Sequence, residues 1–140
     1  VEEAAILLKE AGARRVLPLK VSGPFHSPLL NTAGEKLAEV LAPCKLSGLK
    51  IPYISNTLAE PVTDKTKIKD LLTRQISSPV RWRESMEELI REGVGTFIEI
   101  GPGKTLSGFL KKIDQNAVVY SIQTMEDLEK TVELLKGRNL

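Results

Sequence analysis

Apolar residues recur at helical spacing from the start of the chain. Ala4, Ala5, Leu7, Leu8 and Ala11 mark one face, and Gly12 stands where a C-terminal cap belongs. Residues 15–21 then read as a strand ending at Ser22-Gly23. Ser27-Pro28 has the form of an N-cap followed by proline at the first helical position. The helix it predicts carries Leu30, Ala33, Leu37, Val40 and Leu41 inward and stops at Pro43. Residues 51–55 form a short predicted strand, and a turn-rich loop runs on to Pro61. Asp64 is placed to cap a helix over 65–76 that presents Ile68, Leu71 and Leu72. Ser78-Pro79 repeats the cap-then-proline device and predicts a helix to about residue 91, with Val80, Met86, Leu89 and Ile90 inward.

The last third alternates in the same way. Residues 96–100 are an apolar run of strand length, read as buried. Gly101-Pro102-Gly103 is a tight turn into a helix over 104–113, and 117–122 is another strand. Thr124 to Asp127 has the spacing of a capping box, with Asp in place of the usual Glu or Gln. The final helix ends at Gly137 between Lys136 and Arg138, charges that suit a helix C-terminus. Strands alternating with helices, and no hairpin signal, predict an α/β fold with a mostly parallel sheet. No cap precedes the first helix, so the chain is expected to be part of a larger protein. A change of structural unit is expected near residues 20–23.

Composition narrows the class. With 140 residues, 41% hydrophobic and 27% charged, the chain has the profile of a globular domain, and at 4% aromatic its core must be aliphatic. No apolar run approaches the ~20 residues of a membrane-spanning helix, and a cytoplasmic location is expected. Twenty Lys and Arg against 18 Asp and Glu give a net charge of +2, too balanced for a nucleic-acid footprint. A mildly positive surface suits an acidic protein partner. Cys44 is alone, which excludes an internal disulfide, and it reads as a small buried or half-buried apolar residue.

Candidate chemistry is sparse. His26 is the one histidine, held between Pro24 and Pro28. An imidazole, with an ordinary pKa of about 6.5, takes and returns protons near neutral pH, and flanking prolines limit where it points. One histidine without a cysteine cluster argues against zinc. No Gly-x-Ser-x-Gly elbow occurs, so a self-contained Ser-His hydrolase is not expected. Gly101 to Thr105 lacks the glycine spacing of a phosphate loop and reads as a plain strand-to-helix turn, although its amides are placed to face an anion. Asn56, at a strand end, either lines a site or holds a turn. Trp82 reads as packing, and Arg81 and Arg83 as solvated.

Three stretches, taken in order, closely resemble the malonyl-CoA:acyl carrier protein transacylases of fatty-acid synthesis. They are Val21-Ser22-Gly23-Pro24-Phe25-His26-Ser27-Pro28-Leu29-Leu30, Arg74-Gln75-Ile76-Ser77-Ser78-Pro79-Val80-Arg81-Trp82 and Glu99-Ile100-Gly101-Pro102-Gly103-Lys104-Thr105-Leu106. Pro52 to Asn56 lies between the first two. The resemblance runs through almost the whole chain but covers only the C-terminal part of the family. It implies a hydrolase-like, mostly parallel sheet with helices on both faces. Residues 1–19 would be the tail of a ferredoxin-like small subdomain, and 20–140 the C-terminal part of the large α/β domain.

The resemblance also implies roles. His26 would activate a serine that attacks the malonyl thioester, and the backbone carbonyl of Gln75 would orient that histidine. The serine elbow and the arginine that pairs with the malonyl carboxylate are not in this sequence, so the nucleophile would come from a missing N-terminal portion of the same enzyme. Phe25 resembles the residue of malonyl-selecting domains, where a bulky ring leaves less room for an α-methyl branch. Asn56 is assigned to the substrate site. The implied partners are malonyl-CoA and acyl carrier protein, with no resident cofactor or metal and no nucleic acid or membrane; the complete enzyme would be a monomer. A non-catalytic α/β interaction module and a piece of a polyketide-synthase acyltransferase are the alternatives.

Overall fold

The computed structural model describes residues 1–18 and 21–137. Helix α1 (Glu2–Glu10) ends at Gly12, whose φ of +90° is the left-handed conformation that glycine adopts without penalty. Its apolar stripe stays in solvent: none of its residues is buried. Of the strand expected over 15–21, the described residues form none. Residues 15–18 and Val21 lie outside any ladder, and Leu19 and Lys20, with the unit boundary expected there, lie outside the described residues. Strand propensity alone does not hold an extended segment without a partner to pair with.

Ser27 does not cap the next helix. Its hydroxyl donates instead to the Pro24 carbonyl at 2.7 Å, closing a turn. A single 3-10 turn over Pro28–Leu30 then leads into α2 (Asn31–Leu41). Gly34, the buried residue of α2, lets α3 (Ile68–Gln75) approach closely: a Cβ there would lie 3.1 Å from the Thr73 carbonyl oxygen. Asp64 accepts from the Thr66 N–H at 2.8 Å and caps the 3-10 turn that opens α3. The Thr66 hydroxyl, which also donates to Asp64, and then the Thr66 N–H hold the Asp64 carboxyl below its ordinary pKa.

Between α2 and α3, β1 (Tyr53–Ile54) forms within the strand expected over 51–55 and pairs antiparallel with β2 (Pro61–Val62), a partner that the sequence did not signal. Its connection contains Ala59 at a positive φ of 57°, in place of the glycine or asparagine that usually announces such a turn. Helix α4 (Trp82–Arg91) starts three residues later than the Ser78-Pro79 pattern predicts. The Arg81 N–H is already bonded to the Asn56 carbonyl at 3.0 Å, which holds 79–81 as a crossing segment.

The main layer is β3 (Thr96–Ile100) paired in parallel with β4 (Val118–Ile122), in the register Phe97↔Val119 and Glu99↔Ser121. One sheet face is covered by α4 and by α5 (Thr105–Ile113). There Met86, Leu110 and Ala117 form the core, with Trp82, Leu89, Ile90, Phe97, Ile113 and Val119 against them. Helix α6 (Met125–Lys136) packs beside β4 and has the expected capping box between Thr124 and Asp127; Arg138 lies outside the described residues. β3 is buried on one side only, since Ile98 and Ile100 on the other are 44% and 80% exposed.

Candidate active site

The His26 ring is placed by two local devices. The turn closed by Ser27 and Pro24 forces His26 to φ 58°, a left-handed conformation rare for a residue with a side chain. Such a conformation costs on the order of 1 kcal/mol and persists where surrounding contacts hold it. The second device is the C-terminus of α3. The last carbonyls of a helix have no intrahelical donor. Thr73 and Arg74 direct theirs to Ile76, Ser77 and Ser78. The Gln75 carbonyl receives His26 Nδ1 at 3.1 Å.

A carbonyl oxygen can only accept, so Nδ1 carries the hydrogen and the Nε2 lone pair is left available. The ring is exposed, not packed in aliphatic residues. It also faces the end of α3 where the helix dipole is negative. The arrangement can take a proton on Nε2 while main-chain oxygen fixes both tautomer and orientation.

The remaining candidates stand apart from this pair. Phe25 is 63% exposed, its ring lying over Gly23, where an added Cβ would meet Phe25 Cε2 at 3.4 Å. Asn56 is half-buried at the end of β1, and its carbonyl holds Arg81. Among the described residues no hydrogen bond joins Asn56 or Phe25 to His26 or Gln75. Arg81 is not merely solvated. Its guanidinium donates to the Leu58 carbonyl at 2.8 Å and to Glu84 at 3.2 Å, clamping the loop after β1 onto α4.

The turn after β3 holds residues that sequence reasoning missed. Gly101 and Gly103 adopt φ 140° and 88°. The amides at the start of α5 do not await an anion, because Glu99 supplies one. Its carboxylate accepts from the N–H groups of Leu106 and Ser107 at 3.1 and 2.9 Å and from the Ser107 hydroxyl. The Ser107 hydroxyl, then the backbone donors, hold the Glu99 carboxyl below its ordinary pKa. Ser121 joins through Ser107 at 3.1 Å, and Gln123 accepts from the Gly103 N–H at 2.9 Å. The available signal was an acid at an inward position of an apolar strand, just before a helix.

No protein-family model matches the chain. It is 49% identical over 139 residues to the malonyl CoA-acyl carrier protein transacylase of Bacillus subtilis, covering 99% of this chain and 44% of that protein. The solved malonyl CoA-acyl carrier protein transacylase of Clostridium perfringens superposes with a TM-score of 0.86 at 41% identity, over 97% of this chain and 43% of the other. The malonyl-transacylase PlMCAT, solved with the type II PKS acyl-carrier protein AntF, gives 0.85 at 36% identity, over 94% and 43%. In sequence and in fold the chain is therefore similar to malonyl CoA-acyl carrier protein transacylases, and it spans a little under half the length of those it matches.

Proposed function

We propose that this chain supplies the general base of a malonyl transfer from coenzyme A to the phosphopantetheine thiol of an acyl carrier protein. The observation that carries the reading is the bond from His26 Nδ1 to the Gln75 carbonyl, which leaves Nε2 poised as a base. A serine hydroxyl from the remaining part of the enzyme gives its proton to Nε2 as its oxygen attacks the malonyl thioester. The tetrahedral intermediate collapses, coenzyme A leaves as a thiol with that proton, and an acyl-serine remains. The carrier thiol then attacks the ester, gives its proton to the imidazole, and the serine oxygen recovers it.

The partial negative charge of the α3 carbonyls faces the imidazolium formed in each half-reaction. A neutral carbonyl stabilises it less than a carboxylate would. A thioester tolerates this, because a thiolate of pKa about 8.5 leaves readily. Positioned proton transfer of this kind supplies ~10²–10⁴-fold.

Phe25 and Asn56 are assigned to the malonyl pocket. The Phe25 ring would disfavour an α-methyl branch by only ~1–3 kcal/mol. Residues 1–19 belong to a smaller subdomain, in keeping with a helix α1 that buries no residue; residues 20–140 belong to the large α/β domain. The reaction takes place in the cytoplasm, and among the described residues no helix is long and apolar enough to cross a membrane.

The test is a chimera joining this chain to the part of the Bacillus subtilis relative it does not match. The chimera should transfer malonyl groups to carrier protein, and His26→Ala should slow it by ~10²–10⁴-fold. A folded chimera in which His26→Ala leaves the rate intact would refute the assignment. The chain alone should form no stable malonyl adduct by intact mass.

A further inference from the structure

Ser27 makes a bond that a serine before proline does not announce. A residue preceding proline is pushed from helical into extended conformation, and Ser27, followed by Pro28, lies at φ −132° and ψ 161°. Its hydroxyl caps no helix. It reaches back past His26 and donates to the carbonyl of Pro24 at 2.7 Å, a residue whose ring fixes its own φ. The Ser27 carbonyl accepts from the Leu30 N–H at 3.0 Å, which ties the same residue to the 3-10 turn that follows. Between these anchors His26 sits at φ 58°, a region that residues with a side chain seldom occupy. Leaving it swings the Cα–Cβ bond, and with it the ring, away from the Gln75 carbonyl 3.1 Å from Nδ1. That contact bridges 49 positions, whereas the Ser27 bond bridges three. The local bond sets where the ring stands, and the distant one then fixes its tautomer.

We propose that Ser27 is a positioning residue for the malonyl transfer: its hydroxyl, through the Pro24 carbonyl, holds His26 in the left-handed conformation from which the imidazole reaches Gln75. This rests on the reading of His26 as the base. Ser27 acts through His26 and exchanges no proton with it, since among the described residues no hydrogen bond joins its hydroxyl to the imidazole. The Pro24 carbonyl can only accept, so the residue at this position has to donate. Threonine keeps the donor, and its branched Cβ suits extended backbone. Alanine removes the donor. Aspartate is as good a helix N-cap as serine, but when ionised it has no hydrogen to give, so it separates positioning from capping.

The experiment measures malonyl transfer by the chimera described above, and records nitrogen NMR spectra of the imidazole in the 140-residue chain, for Ser27→Ala, Ser27→Asp and Ser27→Thr. In Ser27→Ala and Ser27→Asp, kcat should fall roughly three- to tenfold, the factor that one net hydrogen bond supplies. KM for malonyl-CoA should stay within about twofold, as expected when only transition-state stabilisation is lost. Ser27→Thr should keep the parent kcat within about twofold, the hydroxyl bond being retained. The imidazole spectrum of Ser27→Ala should shift towards a mixture of the two tautomers, and that of Ser27→Thr should match the parent. An unchanged kcat in Ser27→Ala, a parental imidazole spectrum in that variant, equal losses in Ser27→Ala and Ser27→Thr, or recovery by Asp would each overturn the proposal. An unchanged kcat in Ser27→Ala beside a slow His26→Ala would leave the base assignment standing. If His26→Ala itself left the rate intact, the base assignment would fall, and the spectra would still decide whether Ser27 holds the ring.

Discussion

Substituting Gly34 by alanine tests whether the packing of α2 on α3 fixes the base. In a helix interior the change gains ~1 kcal/mol of propensity. At Gly34 the new Cβ would lie 3.1 Å from the Thr73 carbonyl oxygen, tighter than ordinary contact by a few tenths of an ångström. That oxygen is backbone and already accepts from the Ile76 N–H, so the last turn of α3 has to shift as a unit. Overpacking of this kind costs ~1–3 kcal/mol, leaving Gly34→Ala destabilised by ~0–2 kcal/mol after the propensity gain. Gly108 in α5 is the internal control, because a Cβ there meets nothing within 4 Å and keeps the whole gain. The two variants should therefore differ by ~1–3 kcal/mol, or about 4–12 °C in melting temperature for a chain of this size.

The shift also reaches the site. The His26 to Gln75 contact, at 3.1 Å, is near the long end of the ordinary range, and Gln75 is two residues beyond Thr73. Thermal unfolding by circular dichroism, with nitrogen chemical shifts of the imidazole, reads both effects. Gly34→Ala should melt below Gly108→Ala and move the imidazole signals, which Gly108→Ala should leave in place. Equal melting temperatures with an unmoved imidazole would refute the coupling of α2 packing to the base.

In the chimera, Gln75→Ala should cost less than tenfold in transfer rate, because the oxygen that holds His26 belongs to the main chain; a loss as large as that of His26→Ala would contradict that. The Glu99 carboxyl has a folded pKa below its ordinary value. The stability it contributes is present above the ordinary carboxylate range, near pH 4.3, and is lost as pH falls through the lower folded value. The urea midpoints of parent and Glu99→Gln should thus differ at pH 7 and converge towards pH 3; an unchanged gap would refute it. In the core, Leu110 is 3% exposed, so Leu110→Ala should cost ~2–5 kcal/mol. Ile100→Ala in the isolated chain should cost less than about 0.5 kcal/mol, and equal costs would mean that the open face of β3 is misdescribed.

Elements whose stability is local were legible in the sequence. The capping box at Thr124 and Asp127, the Asp64 cap and the Gly101-Pro102-Gly103 turn each involve residues a few positions apart, and each formed where the pattern put it. Ser27-Pro28 opens the helical turn where the pattern put it, although the Ser27 hydroxyl turns back to the Pro24 carbonyl instead of capping; the Ser78-Pro79 pair misled, because the Arg81 N–H goes to Asn56, 25 positions earlier. The antiparallel β1–β2 pair was hidden because Ala59, not glycine, adopts the left-handed turn. At the candidate site, His26 and Gln75 were marked by resemblance rather than by spacing. Nothing local announces a hydrogen bond across 49 positions. Glu99 was missed because an acid in a strand looks like an edge residue until the helix it caps is in place.

The most direct measurement uses the fact that this chain has one histidine. A nitrogen-detected NMR spectrum of the isolated chain, at a pH where the ring is neutral, reports which nitrogen carries the hydrogen. The account predicts hydrogen on Nδ1, with Nε2 showing the shift of a free lone pair and a coupling from Nδ1–H to the Gln75 carbonyl. A ring with hydrogen on Nε2, and no coupling to Gln75, would contradict it.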